Sequence, residues 1–219
     1  MSSLPEPTRE PARPAAPGRP KDMEKAGAIL DAARRLFTAH GFDGASMDQI
    51  AAEAGVSKLT VYSHYGDKDT LFSAVVKSYC DQKLPESLFR SAPDVPVRER
   101  LLDVGRAFVA FVSSPEAIAG HRMLCSPRMA DSHLPGKFWE AGPARVQRAF
   151  ADMLRRRVES GDLEIEDVTL AARQFLSLLK GEPHARRLLG CCDGHDDPEA
   201  HVAATVDFFL RAHAPRDAR

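Results

Sequence analysis

The sequence predicts an all-α fold, and three observations support this prediction. Apolar residues recur at spacings of three and four from about residue 22 to residue 213, which is typical of amphipathic helices. No segment shows the alternation of apolar and polar residues that indicates a half-buried strand. Glycine and proline lie between the apolar stripes, where helices end or begin. With 219 residues, of which 43% are hydrophobic, the chain can form one or two domains with a sizeable core.

Residues 1–20 are predicted to be a disordered, proline-rich tail. This segment holds six of the 16 prolines and almost no large apolar residue, so burial cannot offset the entropy of ordering it. It lacks the apolar core of a secretory signal, and Glu6 and Glu10 argue against a transit peptide. We therefore expect a cytoplasmic location. Its arginines could seek DNA phosphates, but a solvated leader is the favoured interpretation.

The first helix is predicted over Asp22 to His40. Its apolar residues Ile29, Ala33 and Phe37 follow helical spacing, and Gly41 is expected to end it. We expect its apolar face to pack on the two short helices that follow.

A pair of short helices is predicted from Met47 onward. Ser46 and Gln49 have the spacing of a capping box, in which each residue satisfies a backbone N–H at the start of the helix. Gly55 supplies the positive φ that ends the first helix, and Ser57 is suited to cap the second helix.

The two short helices have the pattern of a helix-turn-helix. Ala51 is small enough for a close helix approach, Gly55 forms the turn, and the β-branched Val61 packs between the helices. The opposite face is polar and aromatic, as a major-groove reader requires. A helical hairpin that binds nothing is the alternative. The residues predicted to contact DNA here are Ser46, Ser57, Lys58, Leu59, Thr60, Tyr62, Ser63 and His64.

The segment Thr60 to Phe72, TVYSHYGDKDTLF, closely resembles the recognition-helix signature of the TetR family of bacterial transcriptional regulators. The resemblance covers about Lys21 to Lys77 and implies a DNA-binding domain over residues 21–77. The sequence departs from the family pattern at Leu59, where a small residue is usual, and at Tyr65, where phenylalanine is usual.

Lys68 is predicted to contact a DNA phosphate. It follows Asp67, which is suited to cap a fourth helix, and so lies where free backbone N–H groups already attract anions. An exposed lysine with no such role is the alternative. The formal net charge is only −1, so no global basic field assists and DNA binding depends on individually placed residues.

Residues 78–219 are predicted to form a helical effector-binding and dimerisation domain. Helical stripes are expected over Val97 to Val112, from Pro115 to Met123, and over Val146 to Val158, with a loop or broken helix over residues 126–143. Five arginines back the third stripe, and we interpret them as a solvated face.

The last two helices are predicted over about Asp167 to Leu179, with a possible extension after Pro183, and over Pro198 to His213. Their apolar faces suit a four-helix bundle between two copies of the chain, because a helix-turn-helix protein needs a twin to read two half-sites. Completion of the protomer's own core is the alternative. The predicted interface residues are Phe175, Leu178, Leu179, Val202, Val206 and Phe209.

Soft and aromatic apolar residues between the DNA-binding and dimer helices predict a pocket for an apolar or amphipathic small molecule. Solid core is the alternative for each of them. They are Phe108, Phe111, Met123, Leu124, Trp139, Phe150 and Met153. Part of this region resembles the AefR-like C-terminal domain of the TetR family. The resemblance implies a homodimer on a palindromic double-stranded DNA operator, released when an effector shifts the fourth helix.

No cofactor, metal or catalytic role is predicted. Cys191, Cys192 and His195 lie close together, but adjacent cysteines without a second pair are weak evidence for a metal site. Motifs for phosphate loops, metalloproteases or nucleophile elbows are absent from the sequence, and no apolar run approaches the length of a membrane span. The remaining alternative is a helical small-molecule carrier or enzyme whose N-terminal helices only pack.

Overall fold

The computed structural model describes residues 19–90, 95–130, 132–191 and 197–215, which contain helices and no strand. Most of the predicted tail, Cys192 and His195 lie outside these ranges. The helices are α1 (Arg19–Gly44), α2 (Met47–Glu53), α3 (Lys58–Tyr65), α4 (Lys68–Lys83), α5 (Glu86–Phe89), α6 (Val97–Val112), α7 (Pro115–Leu124), α8 (Pro127–Ala130), α9 (Leu134–Ala141), α10 (Pro143–Glu159), α11 (Val168–Leu189) and α12 (Pro198–His213).

The all-α prediction is confirmed, and the helix ends follow the local signals. Helices α6 and α12 have the predicted bounds. Gly41 breaks α1 with a φ of 72°, and the predicted broken helix over residues 126–143 is the pair α8 and α9. The short helix α5 lies in the connection between α4 and α6. Among the described residues, no helix combines the length and the apolar character that crossing a membrane requires.

Helices α1 to α4 enclose an N-terminal core that includes Ile29, Ile50, Val61 and Leu71, all of which have no exposed surface. Side chains from α7, α8 and α9 pack into the same core, among them Leu124. The N-terminal core is therefore completed by the C-terminal half of the chain.

A second core lies between α6, α10, α11 and α12. Phe150 stacks on Phe175 with ring centroids 5.1 Å apart, and Phe175 meets the edge of Phe209 at 5.0 Å. A Cβ added to Gly105 of α6 would lie 2.7 Å from Val202 of α12. Glycine at this position therefore allows α6 and α12 to pack closely.

Helix α11 is kinked at Gly181, whose φ is 33°. Pro183 has no N–H with which to bond the carbonyl of Leu179 four residues earlier. His201 of α12 donates its Nε2–H to that carbonyl at 3.0 Å. A neighbouring helix thus supplies the hydrogen bond that the Leu179 carbonyl loses at the kink. The kink separates α11 into two segments.

The predicted solvated arginine face of α10 is wrong at one position. Arg157 is only 4% exposed, and its guanidinium pairs with Asp162 at 2.9 Å and donates to the carbonyl of Val95 at 2.8 Å. Arginine spacing alone does not reveal such a role, because the acceptors come from other segments.

The predicted dimer interface also needs correction. Five of the six predicted side chains are at most 3% exposed within a single protomer: Phe175, Leu179, Val202, Val206 and Phe209. They belong to the protomer's own core, which was the alternative. Leu178 is the exception, since 43% of it is exposed.

Candidate nucleic-acid interface and cavity

The ends of α2 and α3 are built by short-range hydrogen bonds. Ser46 Oγ accepts from the N–H of Gln49 at 3.2 Å, and Gln49 Oε1 accepts from the N–H of Ser46 at 2.9 Å. Gly55 has a φ of 66°, and Ser57 Oγ accepts from the N–H of Thr60 at 3.1 Å. The capping box, the turn glycine and the second cap predicted for this segment are all present.

The inner face of the helix pair is closed. Val61 has no exposed surface and Ala51 has 4%, while the N–H of Val56 donates to the carbonyl of Ala51 at 3.0 Å across the turn. This packing fixes the angle between α2 and α3, so the outer face of α3 is presented on a rigid support.

The outer face of α3 lies open to solvent. Leu59 is 78% exposed and Tyr62 is 41% exposed, although both are large and apolar in part. Lys58 and Ser63 are exposed beside them, as are the two capping serines, and Thr60 is half-buried. These side chains give the surface cationic, hydroxyl, aromatic and aliphatic groups.

Lys58 is held by an acid on the preceding helix. Its Nζ lies 2.8 Å from Oδ1 of Asp48 and 5.9 Å from the centroid of the Tyr62 ring. The hydrogen bond to Asp48, followed by its charge, raises the pKa of Lys58. The exposed lysine is therefore charged, and part of its charge is balanced by Asp48.

Two other predicted DNA contacts have partners inside the protein. His64 Nε2 lies 3.2 Å from Oδ1 of Asp22, and the side chain of His64 is only 17% exposed. The ammonium of Lys68 donates to the carbonyls of Phe42 at 2.9 Å and Ala45 at 3.0 Å, and lies 4.3 Å from the centroid of the Phe42 ring. Lys68 thus holds the chain between α1 and α2, a role that the sequence did not reveal.

A cavity of about 560 Å³ lies between α1, α4, α6, α7, α9, α10 and α11. Five of the seven predicted pocket residues are on its wall: Phe108, Phe111, Met123, Leu124 and Trp139. Phe150 and Met153 are not on the wall, and neither has any exposed surface because both are packed in the C-terminal core. The stripe of α10 faces that core, so these two predictions are corrected.

Residues of α1 and α4 were missed by the sequence analysis. Phe37, Thr38, Phe72 and Val75 line the cavity, although their spacing predicts only the core of the N-terminal domain. The apolar residues among them line both the N-terminal core and the cavity, because α1 and α4 extend past that core to the C-terminal helices.

A polar cluster lies on one part of the cavity wall. Tyr79 Oη lies 2.9 Å from Oγ of Ser114 and 3.4 Å from Oε2 of Glu116. Arg34 pairs loosely with Glu116 at 3.9 Å and lies 5.9 Å from the Tyr79 ring. Burial raises the pKa of Tyr79, so the phenol stays protonated at neutral pH.

Within the described residues, no three side chains of the metal-ligating types lie together, and the cluster at Cys191 lies partly outside them. Cys80 lies on the cavity wall, and burial raises the pKa of its thiol to about 11. Cys80 is therefore a protonated, unreactive thiol. Cys125 and Cys191 are exposed.

Two family models match the chain. Residues 29–75 match the model of bacterial regulatory proteins of the tetR family, and residues 99–215 match the C-terminal domain of AefR-like transcriptional repressors. The two matches together include both the helix-turn-helix and most of the cavity wall.

Individual proteins resemble the chain over most of its length. The HTH-type transcriptional repressor Rv1474c of Mycobacterium tuberculosis is 27% identical over 82% of this chain and 87% of its own. Among solved structures, a TetR-family regulator from Mesorhizobium loti superposes with a TM-score of 0.74 at 27% identity, over 89% of this chain and 99% of that one. The flavonoid-responsive regulator FrrA superposes with a TM-score of 0.67 at 33% identity, over the same shares of each chain.

Proposed function

Because the chain belongs to the TetR family of bacterial regulatory proteins, whose members bind DNA, we propose that it is a cytoplasmic transcriptional repressor. As a homodimer it binds a palindromic operator, and it leaves the operator when a small apolar or amphipathic molecule occupies the cavity. It has no catalytic role.

The observation that carries this proposal is the exposed outer face of α3. Leu59 and Tyr62 are large side chains exposed to solvent on a helix whose inward-facing Val61 has no exposed surface. A helix fits the major groove, where aromatic and aliphatic groups contact thymine methyls and hydroxyls accept or donate at base edges. The ammonium of Lys58 would bind one DNA phosphate once its ion pair with Asp48 is broken.

Dimerisation is proposed to use the outer faces of α11 and α12 instead of the buried residues. Leu170, Leu178 and Phe208 are 41%, 43% and 56% exposed, and exposed apolar groups on adjacent helices favour association. A two-fold axis through this surface would pair the two α3 helices for the half-sites of a palindrome.

Release from DNA is proposed to begin at the cavity wall. Residues of α1 and α4 contribute to both the N-terminal core and the cavity. A molecule that binds better to a cavity shape in which α4 is displaced would lower operator affinity by its differential binding, typically about 1–3 kcal/mol. The naming of the similar FrrA as flavonoid-responsive supports a small-molecule signal.

The experiment is a mobility-shift titration of the full chain on its own upstream DNA and on random duplex. We expect operator binding to weaken by at least ~10-fold in Tyr62→Ala, as for the loss of a base contact. Leu189→Ala, also an exposed apolar residue but at the far end of α11, is the control and should bind normally. Equal affinity for all duplexes, unchanged in Tyr62→Ala, would contradict the proposal and favour a ligand carrier.

A further inference from the structure

Lys180 is a cation on the cavity wall that has no partner among the described residues. It is the last residue of α11 before the kink at Gly181 and is half-buried. Within the described part of the chain, no carboxylate lies within ion-pair distance of its ammonium and no hydrogen bond engages it. Arg34, the other cation on the wall, is paired with Glu116. Among the described residues, a carboxylate therefore lies 3.9 Å from the guanidinium of Arg34, whereas none lies beside the ammonium of Lys180.

The two imidazoles near Lys180 add no negative charge. His121 of α7 lies between Phe138, at a centroid distance of 5.5 Å, and His184, at 5.0 Å. His184 Nδ1 donates to the carbonyl of Val112 at 3.1 Å, while the Nδ1 of His121 is buried and has no hydrogen-bond partner. Both imidazoles are neutral at pH 7, because burial and then the charge of Lys180 lower each pKa to about 4.

The described acids on the cavity wall and next to Lys180 in the sequence are engaged by other groups. Among the described residues of the wall, Glu116 is the sole acid, and it is taken by Arg34 and Tyr79. Glu182, two residues after Lys180, pairs with Arg186 at 3.4 Å. Burial lowers the pKa of Lys180, whereas the charge of the Cys125 thiolate would raise it.

We propose that the effector is an amphipathic carboxylate, whose carboxylate binds the ammonium of Lys180. Its apolar body occupies the cavity beside Phe111, Phe138 and Trp139. The regulatory role of this carboxylate rests on the proposed function, whereas its binding to the cavity does not require DNA.

The chemistry of the site favours a carboxylate over a phosphate. A single lysine supplies one positive charge, and the guanidinium that could add a bidentate contact, that of Arg34, already lies 3.9 Å from the Glu116 carboxylate. A dianionic phosphate would remain undercompensated in an apolar cavity, whose burial penalises unpaired charge. One carboxylate matches one ammonium, and a cavity of about 560 Å³ accommodates a drug-sized apolar body.

The test is a titration of the purified full chain, without DNA, followed by fluorescence of Trp139, the single tryptophan. Decanoate and dodecanoate are compared with decanol and dodecanol, which have the same apolar bodies without the charge. We expect the acids to bind about 10- to 100-fold more tightly than the alcohols, as for a charge-assisted hydrogen bond.

Variants of Lys180 separate the effect of its positive charge from the effect of its size. Lys180→Met should remove the preference for the acids and leave the alcohols unaffected, whereas Lys180→Arg should retain the preference. Lys77→Met removes a lysine that is exposed on α4 and paired with Asp81, so it should behave as wild type. Equal binding of acids and alcohols to wild type, a preference that survives Lys180→Met, or no saturable binding of any probe would overturn the assignment.

The outcome of this titration does not depend on whether the chain binds an operator. A chain that binds no operator but prefers decanoate through Lys180 would retain the carboxylate site and lose the repressor role. A chain that binds its operator but prefers the alcohols would retain the repressor role and lose the carboxylate site.

Discussion

The ammonium of Lys137 lies 3.2 Å from Oδ2 of Asp69, and this ion pair joins α9 to the first turn of α4. His133 contacts the same carboxylate through its Nε2. Helix α9 also lines the cavity with Phe138 and Trp139. One short helix therefore contacts both the cavity and the first turn of α4.

Asp69→Asn is expected to uncouple these two regions. The neutral side chain loses the ion pair, so a ligand that moves α9 exerts less force on α4. Ligand binding measured by Trp139 fluorescence should stay within about twofold of wild type, whereas operator release should need roughly 5-fold more ligand, or about 1 kcal/mol of lost coupling. Glu140→Gln, which breaks the α9–α10 pair with Arg148, is the control. An unchanged release midpoint would show that this ion pair carries no coupling.

Asp48→Asn is expected to strengthen DNA binding. It removes a carboxylate 2.8 Å from Lys58 and releases the ammonium for phosphate, so affinity should rise roughly two- to fivefold for operator and random duplex alike. The gain should be largest at low salt. Asp152→Asn breaks a comparable exposed pair on α10 and should have no effect. Weaker binding by Asp48→Asn in fluorescence anisotropy would place Lys58 outside the DNA interface.

Neighbouring phenylalanines of α12 separate dimerisation from folding. Phe208 is 56% exposed and Phe209 is 3% exposed. Phe208→Glu should raise the dimer Kd by at least ~30-fold with little change in monomer stability. Phe209→Ala should lower the free energy of unfolding by about 3–5 kcal/mol. Sedimentation and urea unfolding measure the two effects, and a Phe208→Glu protein that is still dimeric would exclude this face as the interface.

Gly105→Ala is expected to destabilise the C-terminal core. The added Cβ would lie 2.7 Å from Val202 and 3.4 Å from Leu179, and overpacking of this kind costs about 1–3 kcal/mol. Gly27→Ala is the matched control, because nothing lies within 4 Å of its Cβ. Alanine in the middle of α1 should raise the free energy of unfolding by roughly 0.5–1 kcal/mol. Equal urea midpoints for the two variants would mean that the contact between α6 and α12 relaxes freely.

Stability should fall as the medium becomes acidic. The pKa values of His121 and His184 are lowered by burial to about 4, so the unfolded chain binds protons at these sites before the folded chain does. Stability present above about pH 6.5 is therefore lost as the pH approaches about 4, by roughly 1–3 kcal/mol.

Urea unfolding at about pH 7 and about pH 5 measures this loss. His184→Asn should make the free energy of unfolding depend less steeply on pH, whereas replacement of the exposed His40 by glutamine should not. An equally steep fall in His184→Asn would assign the acid sensitivity to other groups.

Local chemistry alone determined the helix ends and the DNA-binding helix pair. Ser46, Gln49, Gly55 and Ser57 act within three or four residues of themselves, through a cap or a positive φ. Such interactions need no distant partner, so sequence spacing suffices to predict them. The outward position of Tyr62 follows in the same way once Val61 faces inward.

Tertiary structure decided what covers each apolar face and what pairs with each charge. Periodicity shows that α11 and α12 have apolar faces, but Phe175 and Phe209 meet α10 and each other within the protomer instead of a second copy. Lys68 holds carbonyls more than 20 residues away in the sequence, whereas Lys180 on the cavity wall lacks such a partner among the described residues. Burial and pairing depend on residues distant in sequence, and spacing along one helix holds no information about them.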